Sequence, residues 1–218
     1  MATNKKEKPI TNAHRELRER CVMPELFQRW TPEKTLEAIR NTISSDRSDF
    51  EWARRYVLAD KFPRDRAIAE HRKGDWSFGF CYRIVEVASI IFESAGLDYE
   101  SWFIDHAKKN IRPPFDSHWV LKSKTDDSYF DCVKGASVSS PARKKNGSKP
   151  IQKAFWPQHP SKGAMHLFRR IVEKTFLQES KQAATANKLL FDLDILQERV
   201  RVEWYKIRNL PVPPAKTP

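Results

Sequence analysis

The chain has 218 residues, 39% of them hydrophobic and 11% aromatic, which is enough to bury a core as one domain with extensions and excludes a chain disordered throughout. Lys and Arg number 40 against 28 Asp and Glu, and the formal charge of +12 favours acidic partners such as nucleic acid, an anionic membrane surface or an acidic protein. No run is long and apolar enough to span a bilayer and the start lacks the apolar segment of a secretory signal, so a soluble, cytoplasmic protein with no membrane partner is expected.

Residues 1–11 are polar and lysine-rich and are expected to be a disordered basic start, followed by a helical part over residues 12–72. Thr31-Pro32-Glu33 reads as a helix start, with a capping threonine and proline at the first position leading into Leu36, Ile39 and Ile43. Ser48-Asp49-Phe50-Glu51 is a capping box ahead of Trp52, Tyr56 and Val57, and Pro63 ends that helix. A short segment over residues 64–72 then leads to Gly74-Asp75-Trp76.

Residues 73–160 form the expected core. From Phe80 to Ser94 the apolar residues Ile84, Val85, Val87, Ala88, Ile91 and Phe92 recur at helical spacing, and Gly96 supplies a left-handed end. Cys81 therefore belongs to the first helical turn. Tyr99 to Ile104 reads as a strand, Lys108 to Asp116 as a loop carrying Pro113-Pro114, and Trp119-Val120-Leu121 and Tyr129 to Val133 as two further strands.

The last two strands admit two hairpins. A four-residue loop over Ser123-Lys124-Thr125-Asp126 sets His118 directly opposite Asp131. A two-residue turn at Asp126-Asp127 instead sets Asp131 opposite Lys122, roughly 13 Å from the histidine. Only the first of the two supports a triad.

Ala142 to Pro150 is the densest basic stretch, and its Arg143, Lys144, Lys145 and Lys149 are candidates to clamp a phosphate backbone or steer an acidic partner; a solvated surface loop is the plainer reading. Phe155-Trp156-Pro157 is expected to plug the sheet. Two helices are predicted within residues 163–209. The first, Ala164 to Gln178, has Phe168, Ile171, Val172, Thr175 and Phe176 on one face, and the second, Ala186 to Asn209, has Leu189, Leu193, Leu196, Val200 and Ile207 at nearly heptad spacing. The second stripe docks on the protein's own core or, alternatively, pairs two copies as a homodimer. Residues 210–218 are proline-rich and should be an extended tail.

Cys21, Cys81 and Cys132 are widely spaced and odd in number, which argues against a disulfide framework and fits a reducing compartment. Cys132 should face the side of its strand opposite to Asp131 and belong to the core. A cysteine at a helix start, then a histidine and a carboxylate on neighbouring strands, is a thiol-catalysis layout. Unpaired N–H groups and the positive dipole end of a helix favour a thiolate. In that layout Cys81 attacks a carbonyl carbon, His118 takes and returns a proton, and Asp131 holds the imidazole in one tautomer. Cys81 N–H is the first oxyanion donor, and Trp76, Gly79 and Trp119 are assigned to the cleft, with the Trp76 indole or the amide of a residue before the helix as a second donor. Each residue also has a plain structural alternative: a small core thiol, a satisfied strand histidine, a turn-capping aspartate.

Gly79-Phe80-Cys81, the apolar helix ending in Ala95-Gly96-Leu97, His118-Trp119-Val120-Leu121 and Tyr129-Phe130-Asp131 together resemble the core of the transglutaminase-like cysteine enzymes, circularly permuted relatives of papain-type proteases. Tyr129 to Gly135 is also similar to a stretch of the arylamine N-acetyltransferases, but Ser77-Phe78-Gly79-Phe80 stands where those enzymes carry an Arg-Gly-Gly run. The resemblance covers about a quarter of the chain, and Val85 departs from the small residue usual a turn after the cysteine.

The expected fold is α+β, with a papain-like core in which a nucleophile helix packs on a small antiparallel sheet flanked by N- and C-terminal helices. The resemblance implies a thiol-dependent acyl-transfer or amide-hydrolysing enzyme acting through a thioester on a protein or a small amide or acyl substrate. The alternative is a non-catalytic basic protein that binds nucleic acid or an acidic protein on such a scaffold. No zinc-finger spacing or phosphate-cradling glycine loop occurs, and His106 and His118 with Asp105 and Asp116 match no common zinc arrangement, so neither a metal nor a cofactor is expected.

Overall fold

The computed structural model describes residues 11–46, 80–105, 117–141, 150–152, 160–178 and 181–214. Several expected features lie outside them: the first ten residues, the capping box at 48–51, Trp76, Gly79, the Pro113-Pro114 loop, Arg143, Lys144, Lys145, Lys149 and the 155–157 plug.

Helix α1 (Asn12–Cys21) begins at a capping box in which Thr11 Oγ1 accepts from His14 N and His14 Nδ1 accepts from Thr11 N. Thr11, assigned from composition to the disordered start, is thus the first cap of the fold. A short α2 (Pro24–Phe27) follows, then α3 (Pro32–Ser45), which starts as its sequence predicts, with Thr31 Oγ1 accepting from Lys34 N at 3.2 Å and Pro32 in the first turn. Helix α4 (Cys81–Ala95) ends at Gly96, whose φ of 72° is the left-handed value expected there.

The sheet is antiparallel and five-stranded, in the order β4-β3-β2-β1-β5, with β1 (Tyr99–Asp105), β2 (Ser117–Ser123), β3 (Tyr129–Asp131), β4 (Gly135–Val138) and β5 (Pro150–Gln152). Helices α5 (Lys162–Phe176) and α6 (Ala183–Ile207) complete an α+β fold. Two strands were not anticipated. The third predicted strand stops two residues early, because the Asp131 carboxylate accepts from the N–H groups of Val133 and Lys134 and turns the chain into β4. Pro150, read as the end of the basic loop, opens β5 and pairs with Ile104 on the edge of β1, where a missing N–H is tolerated.

Helix α4 is apolar almost all round, with Ile84, Val85, Val87, Ala88, Ile91 and Phe92 all 0–1% exposed, as suits a helix buried on both sides. One side meets the sheet, where Phe92 stacks edge-on to Phe130 with ring centroids 5.2 Å apart. The other meets α2, α3 and α5, around an aromatic cluster of Phe27, Trp30, Phe168 and Phe176. On α5 the predicted face is buried except for half-buried Thr175.

The stripe on α6 behaves differently along its length. Leu189 and Leu193 are fully buried, and Leu196 and Val200 pack partly against the same core. Ile207, expected to continue the stripe, is 48% exposed because α6 has by then passed the core it covers. α1 runs antiparallel along α6, tied by Arg20–Asp192 and Arg199–Glu16 ion pairs. The tail turns at Asn209, with φ 53°, and the carbonyl of Pro213 accepts from Arg201 Nη1 at 2.9 Å. Among the described residues, no helix is long and apolar enough to cross a membrane.

A single carboxylate joins α5 to α4. Glu86, 4% exposed in the apolar helix, accepts from Ser161 N at 2.6 Å and from Ser161 Oγ at 2.7 Å, at the N-terminus of α5. Burial pushes its pKa up to about 7 against these hydrogen bonds and the Arg83 charge, which lower it. From pH 4.5 to about 7 the unfolded chain releases this proton while the folded chain keeps it, so Glu86 makes stability fall as pH rises through that window, by roughly 3 kcal/mol. Glu86→Gln should flatten the pH dependence of the urea-unfolding free energy between pH 5 and 8; an unchanged slope would contradict this.

Candidate active site

The chain brings Cys81, His118 and Asp131 together. Cys81 is the first residue of α4, where helix geometry leaves the first N–H groups without intrahelical acceptors. Its N-cap, Phe80, contributes no side-chain cap, and the positive dipole end of the helix there favours an anion or thiolate. The Tyr82 ring lies edge-on to Trp119 with centroids 5.3 Å apart, and Trp119 in turn meets Phe103 at 5.0 Å. This aromatic row holds the first turn of α4 against the start of β2, beside the histidine.

The hairpin that delivers the dyad takes neither predicted register. Leu121 pairs with Phe130 and Lys122 with Tyr129, and Ser123 N donates to Ser128 O across the loop Lys124–Asp127. Extended by one residue, this register sets Asp131 beside Val120, diagonal to His118. The shift relative to the direct-opposition register is two residues, so side-chain parity is preserved and both groups stay on one face. A diagonal pair is within reach of long side chains, and His118 Nε2 and Asp131 Oδ1 are 2.9 Å apart. The loop is set by Ser123 Oγ, which accepts from Thr125 N and Asp126 N, and by Asp127 in the left-handed region with φ 58°.

Both dyad residues are fully buried. Asp131 Oδ1 accepts from His118 Nε2, from Val133 N at 2.8 Å and from Lys134 N at 3.3 Å, so it caps a turn and orients the imidazole at once. With Nε2–H given to the carboxylate, Nδ1 is the nitrogen left for proton transfer. Burial lowers the His118 pKa, but the Asp131 hydrogen bond and the neighbouring Cys81 side chain outweigh it and push the value up to about 9. Nδ1 has no partner at ordinary hydrogen-bond geometry. The Cys81 side chain acts on the ring through hydrogen bonding as well as charge, at a geometry short of an ideal bond.

Cys132 is where sequence parity misleads. The strand ends at Asp131, so Cys132 belongs to the turn and not to the opposite face of β3. It is a buried core residue as expected, yet its sulfur, a His118 nitrogen and an Asp131 oxygen all lie within 4.8 Å of one another. Glu86 also escaped notice; a carboxylate set between Val85 and Val87 on the apolar face of the helix was its signal. Of the residues assigned to the cleft, Trp119 sits beside the first turn of α4, while Trp76 and Gly79 are outside the described residues.

No family model matches this chain, and no curated protein or solved structure matches it.

Asp131→Asn tests the dyad. Amide for carboxylate removes the charge that helps hold His118 up at about 9, so burial should lower its pKa, as read from the imidazole proton shifts by NMR. A raised histidine pKa stabilises the fold fully below pH 6.5 and loses that stabilisation as pH rises through about 9. The variant should therefore be less stable than the native chain by roughly 2–4 kcal/mol at pH 6, and the gap should narrow above pH 9.

Proposed function

We propose that this protein is a thiol-dependent enzyme of the acyl-transfer or amide-hydrolysing type, on a papain-like core similar to that of the transglutaminase-like enzymes. The observation that carries the reading is a buried His118–Asp131 pair beside a cysteine at a helix N-terminus. In the first half-reaction the Cys81 proton already rests on the imidazole, which its raised pKa keeps protonated, and the thiolate attacks the carbonyl carbon of an amide or acyl donor. The oxyanion is held by N–H groups at the start of α4, Cys81 N–H first among them. Collapse of the tetrahedral intermediate breaks the bond to the leaving group, which takes the proton from Nδ1, and a thioester remains. In the second half an acceptor gives its proton to Nδ1 and attacks the thioester, and the bond to sulfur breaks, returning Cys81 as the thiolate paired with the imidazolium. Water as acceptor makes the protein a peptidase or deamidase; an amine makes it a transglutaminase or N-acyltransferase.

Asp131 is a positioning residue in this scheme. It holds Nε2–H, leaves Nδ1 facing the thiol and favours the imidazolium formed on proton transfer. Three cysteines without a disulfide among them agree with work in a reducing compartment such as the cytoplasm. The +12 charge supports a second reading, a basic protein that binds nucleic acid or an acidic protein through residues such as Arg143, Lys144, Lys145 and Lys149.

Iodoacetamide labelling of Cys81, followed by mass spectrometry across pH, separates the two. The enzyme reading expects labelling to persist at about pH 6, well below the ordinary thiol pKa of about 8.5, and to slow by about 10-fold or more in His118→Ala. Labelling that follows an ordinary thiol, or that is identical in the variant, would remove the triad and leave salt-sensitive binding as the activity to measure.

A further inference from the structure

The dyad has a second face that the proposed reaction does not use. One imidazole nitrogen of His118, one carboxylate oxygen of Asp131 and the Cys132 sulfur lie within 4.8 Å of one another, and all three residues are at most 2% exposed. A cavity of about 510 Å³ between α3 and the β3–β4 turn reaches Cys132 from outside. Its walls carry Glu33 and Glu37 as well as Arg40 and Lys134, so its charges balance and a cation meets no net repulsion there.

We infer that His118, Asp131 and Cys132 form a binding site for a borderline-soft divalent cation of the zinc type, entered through this cavity. The donor set decides the class. Imidazole, carboxylate and thiolate together suit Zn²⁺, whereas Ca²⁺ and Mg²⁺ take oxygen ligands. Ligand atoms around four-coordinate zinc stand about 3.3–3.8 Å apart, so the cluster closes on the ion by small side-chain rotations. Two negative ligands neutralise the cation in a buried place, which an all-imidazole site would not do. The Val133 and Lys134 N–H groups already on Asp131 Oδ1 are the kind of outer hydrogen bonds that orient a ligating carboxylate. On binding, the Cys132 thiol and the ligating His118 nitrogen each release a proton to solvent, and the metal replaces the His118–Asp131 hydrogen bond. An imidazole so held is turned from its place in the dyad, and the cation acts as a reversible inhibitor of the Cys81 chemistry.

Co²⁺ titration of the full-length reduced chain reads the site directly, through the sulfur-to-cobalt charge-transfer absorption of a thiolate complex. The expected result is one Co²⁺ per chain, displaced by Zn²⁺, with the band kept in Cys81→Ser and lost in Cys132→Ala. A band absent from the native chain, or retained in Cys132→Ala, overturns the site. Should Cys132→Ala fail to fold by circular dichroism, the native chain still decides: paramagnetic Co²⁺ must broaden the His118 imidazole signals before those of His14 and His166, and sparing His118 overturns the proposal. The metal should also slow Cys81 labelling by about 10-fold or more in the native chain. The absorption readout does not require a reactive Cys81, so failure of the enzyme reading and failure of the metal site give different results.

Discussion

A single buried carboxylate oxygen organises this structure. Asp131 Oδ1 gathers the imidazole of His118 and the backbone N–H groups of Val133 and Lys134, three donors converging on one acceptor away from water. A buried carboxylate without such partners would be strongly disfavoured as an anion. Having them, it ends β3, starts the turn into β4, and leaves a charge beneath a histidine that burial alone would keep neutral. The turn amides and the imidazole thus share one acceptor, so the residue that caps the turn also orients the ring.

The other half of the site depends on the placement of α4. Its apolar circumference allows burial on both sides, against the sheet through Phe92 and Tyr82 and against α2, α3 and α5 through the rest. Glu86 then draws the N-terminus of α5 onto the helix by accepting both donors of Ser161, where a carboxylate also meets the positive end of the α5 dipole. The thiol is thus presented by a helix held on all sides. That packing fixes the thiol relative to an imidazole projecting from a different element.

The position of Cys81 was legible because its causes are local: an apolar run at helical spacing ahead of it and Gly96 at the far end. So were α3, with Thr31 and Pro32 at its start, and strands β1 and β2, rich in aromatic and β-branched residues. The hairpin register was not. Neither proposed register was the one adopted, since Ser123 and Asp127 choose the loop through hydrogen bonds and a left-handed backbone that composition alone leaves open. The site survived because an error of two residues conserves the face of a strand. Cys132 was misplaced for a related reason: alternation applies only within a strand, and β3 stops one residue before it.

What the sequence determined by itself is α3, α4, α5, α6, β1, β2 and the start of β3, and the order of thiol, imidazole and carboxylate along them, because helix ends, apolar periodicity and strand alternation are encoded within a few residues of each position. Only the tertiary structure decided that His118 meets Asp131 on a diagonal, that Cys132 turns toward them, and that Glu86 is paired with Ser161 across 75 positions of chain. Those contacts join residues far apart in sequence or displaced by a turn. Their energies come from desolvation and convergent hydrogen bonds, which exist only once the elements are packed.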